Sequence, residues 1–390
     1  MSPTLQVVML APFYPPSFSG AGLQAQRLGD LLHARGVAVT VLTASDTRAV
    51  RPQSRWERGL RVVRFPVPSR SRKRGLRLRL LSLGAQAGAW LATHSEWDLL
   101  HLHSFSYMAI LPSWVAGWRG RPRLVKTTLL GADDLGSRSR GLAGQVLVAS
   151  YRRCEGVVAL SHELADGFRR DSSFRGRIFE IPNGVDTDRF RPASAGERAH
   201  LRSRFGLPGD VLVVVSCGML DPRKGPVGLV NAVERLAPRR VCVALAGPDG
   251  EPQHRREVEA ALRSLEPPVE GRLLGPLPPD DVPDLLRASD VFALPSLAEG
   301  LPNSVLEALA CGLPCVATDI PGSRDALAFG GGRLVPVGDT GALACTLSQL
   351  ADEPETRRRL GDEARRAALE HFALPRIADA YLDVYRELLG

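Results

Sequence analysis

Residues 288–322, "ASDVFALPSLAEGLPNSVLEALACGLPCVATDIPG", decide how the chain is read. "DVFALPS" (290–296) is an apolar run of strand length that runs into the turn "LAEGLP". A helix is predicted from Asn303 or Ser304 to Ala310. Gly312 suits the left-handed position just past its end, and Pro314 blocks continuation. "LPCVATD" (313–319) then reads as the next strand. Strand, loop, helix and strand make a βαβ unit, and hence a parallel sheet.

Two carboxylates sit in this unit. Glu299 lies in the loop at a strand's carboxyl end, where open α/β sheets bind their ligands. Glu307 has two readings. Ser304-Val-Leu-Glu307 has the spacing of a capping box. Alternatively, a carboxylate one turn into a helix can take a bidentate hydrogen bond from a ribose diol. The N–H groups near residues 302–305 would then favour a diphosphate.

The same alternation extends in both directions. Candidate strands before it are 5–11, 37–44, 61–67, 98–103, 123–128, 156–161 and 177–183, with helix-like stretches such as 23–35 between several of them. After a polar stretch the pattern restarts, with strands at 211–218, 240–247, 272–277, 290–296, 313–319 and 333–337. Near-continuous apolar runs are what strands buried on both faces require. The fold class is therefore α/β, with two Rossmann-like, doubly wound parallel-sheet domains facing across a cleft. The boundaries expected are 1–187 for the N-terminal domain, 188–373 for the C-terminal domain and 374–390 for a terminal helix. That helix carries Ile377, Tyr381, Val384 or Tyr385, and Leu388 at helical spacing. It must dock, and the N-terminal domain is the candidate surface.

At 390 residues, two domains are the default. No apolar run reaches membrane-spanning length. The short run at 5–11 reads as a buried strand rather than a signal peptide. The six cysteines (154, 217, 242, 311, 315, 345) show no metal-ligand spacing and read as reduced core residues of a cytoplasmic protein. The net charge of +8 is uneven: residues 1–195 hold 28 basic and 14 acidic side chains, a net of +14, and the remainder nets −6. Domains of opposite charge suit different partners.

"EGLPNSVLE" (299–307) resembles the Glu-x7-Glu motif of retaining glycosyltransferases of the GT-B fold, the glycogen-synthase-like "group 1" type. The flanking text in 288–322 is similar to that family from end to end. The resemblance implies that Glu299 contacts the donor sugar and Glu307 the nucleotide ribose. It places Gly300, Leu301, Pro302 and Asn303 among the substrate-binding positions. "APFYPPSFSGAGLQAQRLGDLLHARGVAVTVLTA" (11–44) resembles the family's first strand, glycine loop and helix, which implicates Gly20 and Ala21. "IPNGVDTDRF" (181–190) resembles its interdomain junction. "CGMLDPRKGPVGLV" (217–230) resembles its phosphate loop, where Lys224 takes the place of the lysine that reaches the donor phosphates. Gly20-Ala-Gly22 is not a GxGxxG, which argues against a nicotinamide-binding domain.

Two positions depart from the family pattern. Met219 stands where an arginine commonly helps neutralise the leaving diphosphate, and Arg223 is the candidate substitute. Leu130 precedes Gly131 where many members have His-Gly on the acceptor side. His101, His103 and Asp133 or Asp134 are weaker acceptor-side candidates, and such a histidine pair is as readily explained by packing.

The implied activity is transfer of a sugar from a nucleoside diphosphate sugar to an acceptor hydroxyl with retention, with Lys224 and Glu299 central. No DxD site resembles a metal site, so no cofactor or essential metal is expected. Competing readings are a glycosyltransferase-like subunit without turnover, and an epimerase or phosphorylase on the same fold. Residues 69–94 place Arg70, Arg72, Lys73, Arg74, Arg77 and Arg79 beside an apolar helical pattern with no acid among them. Such a segment suits an anionic membrane surface and a polyprenol-linked acceptor in envelope or polysaccharide synthesis. The location expected is therefore cytoplasmic, at the inner membrane face if 70–91 binds lipid. Without an aromatic platform the charges do not suggest nucleic acid.

Overall fold

The computed structural model describes residues 4–17, 19–45, 50–68, 73–104, 106–128 and 141–390. The chain divides into two compact units. The first joins residues 1–183 to Leu374–Gly390, and the second is Gly184–Ala373. The breaks fall after Asn183 and Ala373, where 187 and 373 were expected.

In the first unit the strands are β1 (Gln6–Ala11), β2 (Ala38–Ala44), β3 (Gln53–Glu57), β4 (Leu60–Phe65), β5 (Leu99–Leu102), β6 (Arg123–Thr127), β7 (Gly156–Ala159) and β8 (Arg177–Glu180). Among the described residues they form one sheet in the order β3-β4-β2-β1-β5-β6-β7-β8. All neighbours pair in parallel except β3, which is antiparallel to β4. β3 was not expected. Its sequence, QSRWE, is polar because it is an exposed edge strand, so it lacks the apolar run that marks a buried one.

Alternation along each strand sorts the side chains into two cores. Val8, Leu10, Leu100, Leu102, Val125 and Val157 face the helices Lys73–Thr93, Ile110–Trp118 and Gly141–Tyr151. Val7, Met9, Val39, Val41 and Leu124 face the helix Gly20–Ala34 and, beside it, Ile377, Tyr381, Val384 and Tyr385 of the terminal helix Leu374–Leu389. The terminal helix thus completes the core of the first unit. Arg35 Nε fastens it by an ion pair to Asp379 at 2.6 Å.

The second unit holds β9 (Leu212–Cys217), β10 (Val241–Ala246), β11 (Val269–Gly275), β12 (Val291–Leu294), β13 (Cys315–Thr318) and β14 (Gly332–Val335). Their order, β11-β10-β9-β12-β13-β14, is wholly parallel. β11 begins at Val269 rather than 272, because its polar Glu270 pairs within the sheet edge. Strand order reverses between β9 and β12. The loops leaving these two carboxyl ends therefore diverge and open a crevice, the usual ligand position in open α/β sheets.

Candidate active site

Both loops at that reversal carry the residues singled out from the sequence. β9 ends at Cys217 and leads through Gly218 to a short 3-10 turn, Pro222–Lys224. Asp221 starts the turn, its carboxylate accepting from the Arg223 N–H at 2.9 Å. Gly225 closes it with φ of 68°. A Cβ there would stand 2.4 Å from the Pro295 carbonyl oxygen, so only glycine lets the loop lie against the end of β12. The Leu297 N–H donates to the Arg223 carbonyl at 2.7 Å, which ties the two loops together.

On this frame Glu299 Oε1 gathers two cations and a hydroxyl. Lys224 Nζ lies 2.5 Å away and Arg223 Nη1 3.2 Å. The Ser296 hydroxyl donates to the same oxygen at 2.9 Å. Arg223 also donates to the Ala298 carbonyl. Ser296 is fully buried, and its carbonyl accepts from the Thr318 hydroxyl on β13. The Glu299 side chain is 9 % exposed and that of Lys224 18 %, so the pair sits at the edge of the protein interior. Gly300 lies against Gly322, where a Cβ would approach the Gly300 carbonyl to 1.8 Å. Leu301 and Pro302 are buried beneath the loop.

The helix Asn303–Ala310 starts with Pro302 as its N-cap and carries no side-chain cap. This overturns the capping-box reading of Ser304 and Glu307. Ser304 is already inside the first turn, so its hydroxyl is not at the position a cap requires. Glu307 is half-buried. Burial, and then the Glu307 charge, push the Cys217 and Cys311 thiols up. The carboxylate is therefore close to the end of β9, where Lys224 also stands. A cation within the Gly218 loop, a helix N-terminus and two carboxylates at different depths can together hold an anionic group joined to a polyhydroxyl one. Behind the helix, Arg365 donates to the carbonyls of Ala310 and Phe190, each at 2.8 Å. The expected helix end holds: Gly312 has φ of 70°, and the Leu313 N–H bonds the Ala308 carbonyl at 3.0 Å.

Gly20 and Ala21 are exposed in the first turn of the helix after β1, which Ser19 caps by accepting from the Gly22 N–H at 3.3 Å. They belong to the first unit. Met219 is 40 % exposed beside Gly218. Leu130, Gly131, Asp133 and Asp134 lie outside the described residues, as do Arg70 and Arg72.

His101 and His103 are not exposed candidates. Both are buried, with ring centroids 4.1 Å apart, and His101 Nδ1 lies 2.7 Å from the Tyr385 hydroxyl. Burial holds both imidazoles well below the usual histidine range, aided at His101 by His103 and then Lys126 and at His103 by Lys126. The sequence reading missed Lys126 beside them. It is buried, donates to Asn183 Oδ1 at 2.9 Å, and burial lowers its ammonium pKa to about 7. Ser296 was missed too. Its one signal was a hydroxyl at the end of an apolar run. Among the described residues no cluster of three or more His, Cys, Asp or Glu could hold a metal ion. All six cysteines are free thiols, Cys345 alone being exposed.

Two largely parallel sheets, each with one reversal in strand order, have the pattern of the GT-B fold, and solved structures share it. Sucrose-phosphate synthase of Thermosynechococcus elongatus superimposes with a TM-score of 0.80 at 23 % identity, over 98 % of this chain and 99 % of that one. Anabaena HepE, crystallised with UDP, gives 0.78 at 22 %, over 98 % and 100 %. The model of the glycosyl transferases group 1 family matches residues 197–367, and that of the glycosyl transferase 4-like domain matches 19–184. The D-inositol 3-phosphate glycosyltransferase of Xylanimonas cellulosilytica is 31 % identical over 97 % of this chain and 95 % of its own. The chain belongs to the glycosyl transferases group 1 family.

Proposed function

We propose that this protein transfers a sugar from a nucleoside diphosphate sugar to an acceptor hydroxyl with retention at the anomeric carbon. The observation that carries this reading is the convergence of Lys224, Arg223, Ser296 and Glu299 at the reversal between β9 and β12, with Glu307 one turn into the adjoining helix. Lys224, aided by Arg223, offsets the charge that develops on the departing diphosphate, and fixed positive groups act most strongly where charge develops. Glu299 orients the donor sugar and Glu307 accepts from the ribose. Gly300 to Asn303 line the donor. Gly20 and Ala21 are assigned to the donor diphosphate on the family resemblance. Arg223 stands in for the arginine that Met219 replaces. No metal is required in this scheme.

UDP-sugars are the first donors to try, since the Anabaena relative of the fold was crystallised with UDP and with UDP-glucose. Two acceptor classes compete: a cyclitol phosphate, which the D-inositol 3-phosphate relatives suggest, and a polyprenol-linked sugar of envelope or polysaccharide synthesis. Arg79, one of the six basic residues expected to face lipid, is instead buried near the Phe13 ring, whereas Arg77 is exposed. The remaining acid-free stretch favours the second class, with the protein peripheral at the cytoplasmic membrane face.

The test is incubation with UDP-, GDP-, ADP- and TDP-sugars and an acceptor panel. Released nucleoside diphosphate and a product with the donor's anomeric configuration, read by NMR, are expected. An inverted product would refute retention. Isomerised donor sugar would make the protein an epimerase. Tight nucleotide binding without turnover would make it a non-catalytic subunit.

A further inference from the structure

Exposed apolar side chains cluster on the helices of the first unit that cover one face of its sheet. On the helix Ile110–Trp118, Leu111, Trp114 and Trp118 are 46 %, 54 % and 78 % exposed. Their spacing of three and four places them on one face. The helix Lys73–Thr93 adds Leu78 at 61 % and Leu81 at 41 %. Ala85 and Ala89 extend that stripe by one and two turns and are exposed as well.

The two helices lie close together. A Cβ at Gly88 would stand 3.2 Å from Leu111 Cβ, and one at Gly84 would stand 2.6 Å from the Met108 carbonyl. Leu111 therefore borders the Leu78–Ala89 stripe. On the other side Trp114 donates from its indole to the Ser150 hydroxyl at 3.1 Å, on the helix Gly141–Tyr151. The patch is thus continuous across three helices. Scattered exposed leucines need no explanation, but a contiguous aromatic and aliphatic patch does.

Charge selects the occupant. None of the three helices contains an aspartate or glutamate. Residues 58–95 and 99–132 contain none either. Of the acids flanking these ranges, Asp98 pairs with Arg121 at 3.6 Å and Glu155 with Arg123 at 2.6 Å, and Glu96 is exposed beyond the end of the helix Lys73–Thr93. Around the apolar stripe stand Arg77, over the Tyr107 ring at 4.5 Å, and Arg119, 5.7 Å from the Trp118 ring. A second copy of this chain meeting the patch face to face would bring two positive rims together. An anionic lipid surface matches both parts: tryptophan favours the headgroup boundary, and arginines gain there from acidic lipids.

We propose that Leu111, Trp114 and Trp118, with Leu78 and Leu81, form a membrane-docking surface that inserts at the headgroup level of an anionic bilayer. This deepens the lipid-linked acceptor reading and names side chains that the basic stretch alone does not. Attraction by exposed charges weakens with salt, whereas the apolar part persists.

The experiment is sedimentation of the full chain with vesicles of phosphatidylglycerol and phosphatidylcholine, with pure phosphatidylcholine as comparison. Wild type is expected to sediment with the anionic vesicles, only partly released by high salt. Tryptophan emission should be quenched by lipids brominated near the headgroup. Trp118→Ala, at a site too exposed to affect folding, should weaken vesicle affinity several-fold. Trp114→Ala with Trp118→Ala should weaken it by at least about tenfold. Leu369→Ser, an exposed apolar position in the second unit, should leave it unchanged.

Equal sedimentation of wild type and the double variant overturns the proposal, as does no sedimentation of wild type. Self-association in analytical ultracentrifugation that Trp118→Ala abolishes would make the patch a homodimer face instead. Nucleotide binding measured without vesicles separates the two readings, because its failure in wild type would count against the donor site and not against this surface.

Discussion

Lys224 Nζ and Glu299 Oε1 stand 2.5 Å apart, joining the loop after β9 to the loop after β12. The cation assigned to the diphosphate is thus held by the acid assigned to the sugar. The contact orders both side chains, which lowers the ordering cost of binding.

Replacing Lys224 by alanine should therefore do two things. Calorimetry should show affinity for a nucleoside diphosphate falling by about 1–3 kcal/mol, with nucleoside affinity little changed. Unfolding should show non-additivity with Glu299→Gln, since each single variant strands a partner the double variant does not. Equal losses for nucleoside and diphosphate would remove Lys224 from the phosphates.

Glu307→Gln should weaken nucleotide binding by about 1–3 kcal/mol, because a charge-assisted bond to the ribose becomes a neutral one. There is no capping box to lose. Unchanged nucleotide affinity would leave the carboxylate without a ligand role.

Ser296 never touches substrate in the proposed scheme; it positions Glu299. Ser296→Ala frees the carboxylate to shift, and misplacement of a group at the reacting sugar costs about ten- to a hundredfold in rate. The loss should fall on kcat with the free nucleotide's affinity preserved. A matched drop in nucleotide affinity would indicate a merely disturbed loop.

The buried cluster of His101, His103, Lys126, Asn183, Tyr381 and Tyr385 makes the first unit sensitive to pH. The Lys126 pKa falls on folding from 10.5 to about 7. Between those values the unfolded chain binds more protons than the folded one, so stability should rise with pH across that window. Both imidazoles are also depressed, below 6.5, so stability should fall further as pH drops below that value. Urea melts of wild type against Lys126→Met read the first effect. The slope between about pH 7 and 10 should be smaller in the variant, and an unchanged slope would mean that the lysine is not the group responsible.

Much of this architecture was legible because buried parallel strands leave apolar runs that composition cannot hide. β3 escaped because an edge strand such as QSRWE is solvated and has no apolar run. The Ser304-x-x-Glu307 spacing misled because Pro302, not Ser304, begins the helix. Glu299, Glu307 and Lys224 could be chosen from local motifs. Their support could not, since the bonds from Ser296 to Glu299 and from Thr318 to Ser296 depend on which strands become neighbours. Lys126 read as one more residue of a strand, because burial of a cation is a property of the surrounding helices.

The terminal helix Leu374–Leu389 supplies Ile377, Ala378, Tyr381, Leu382, Val384 and Tyr385 to a core whose other buried members precede residue 184. Synthesis runs in one direction, so the second unit, continuous from Gly184 to Ala373, has all its residues before the first does. Until Leu374–Leu389 leaves the ribosome, Val7, Met9 and Leu124 lack their cover on one side. The half of the molecule made first is thus the half finished last. A stalled or clipped chain should keep a folded second unit while presenting an uncovered sheet to chaperones and proteases.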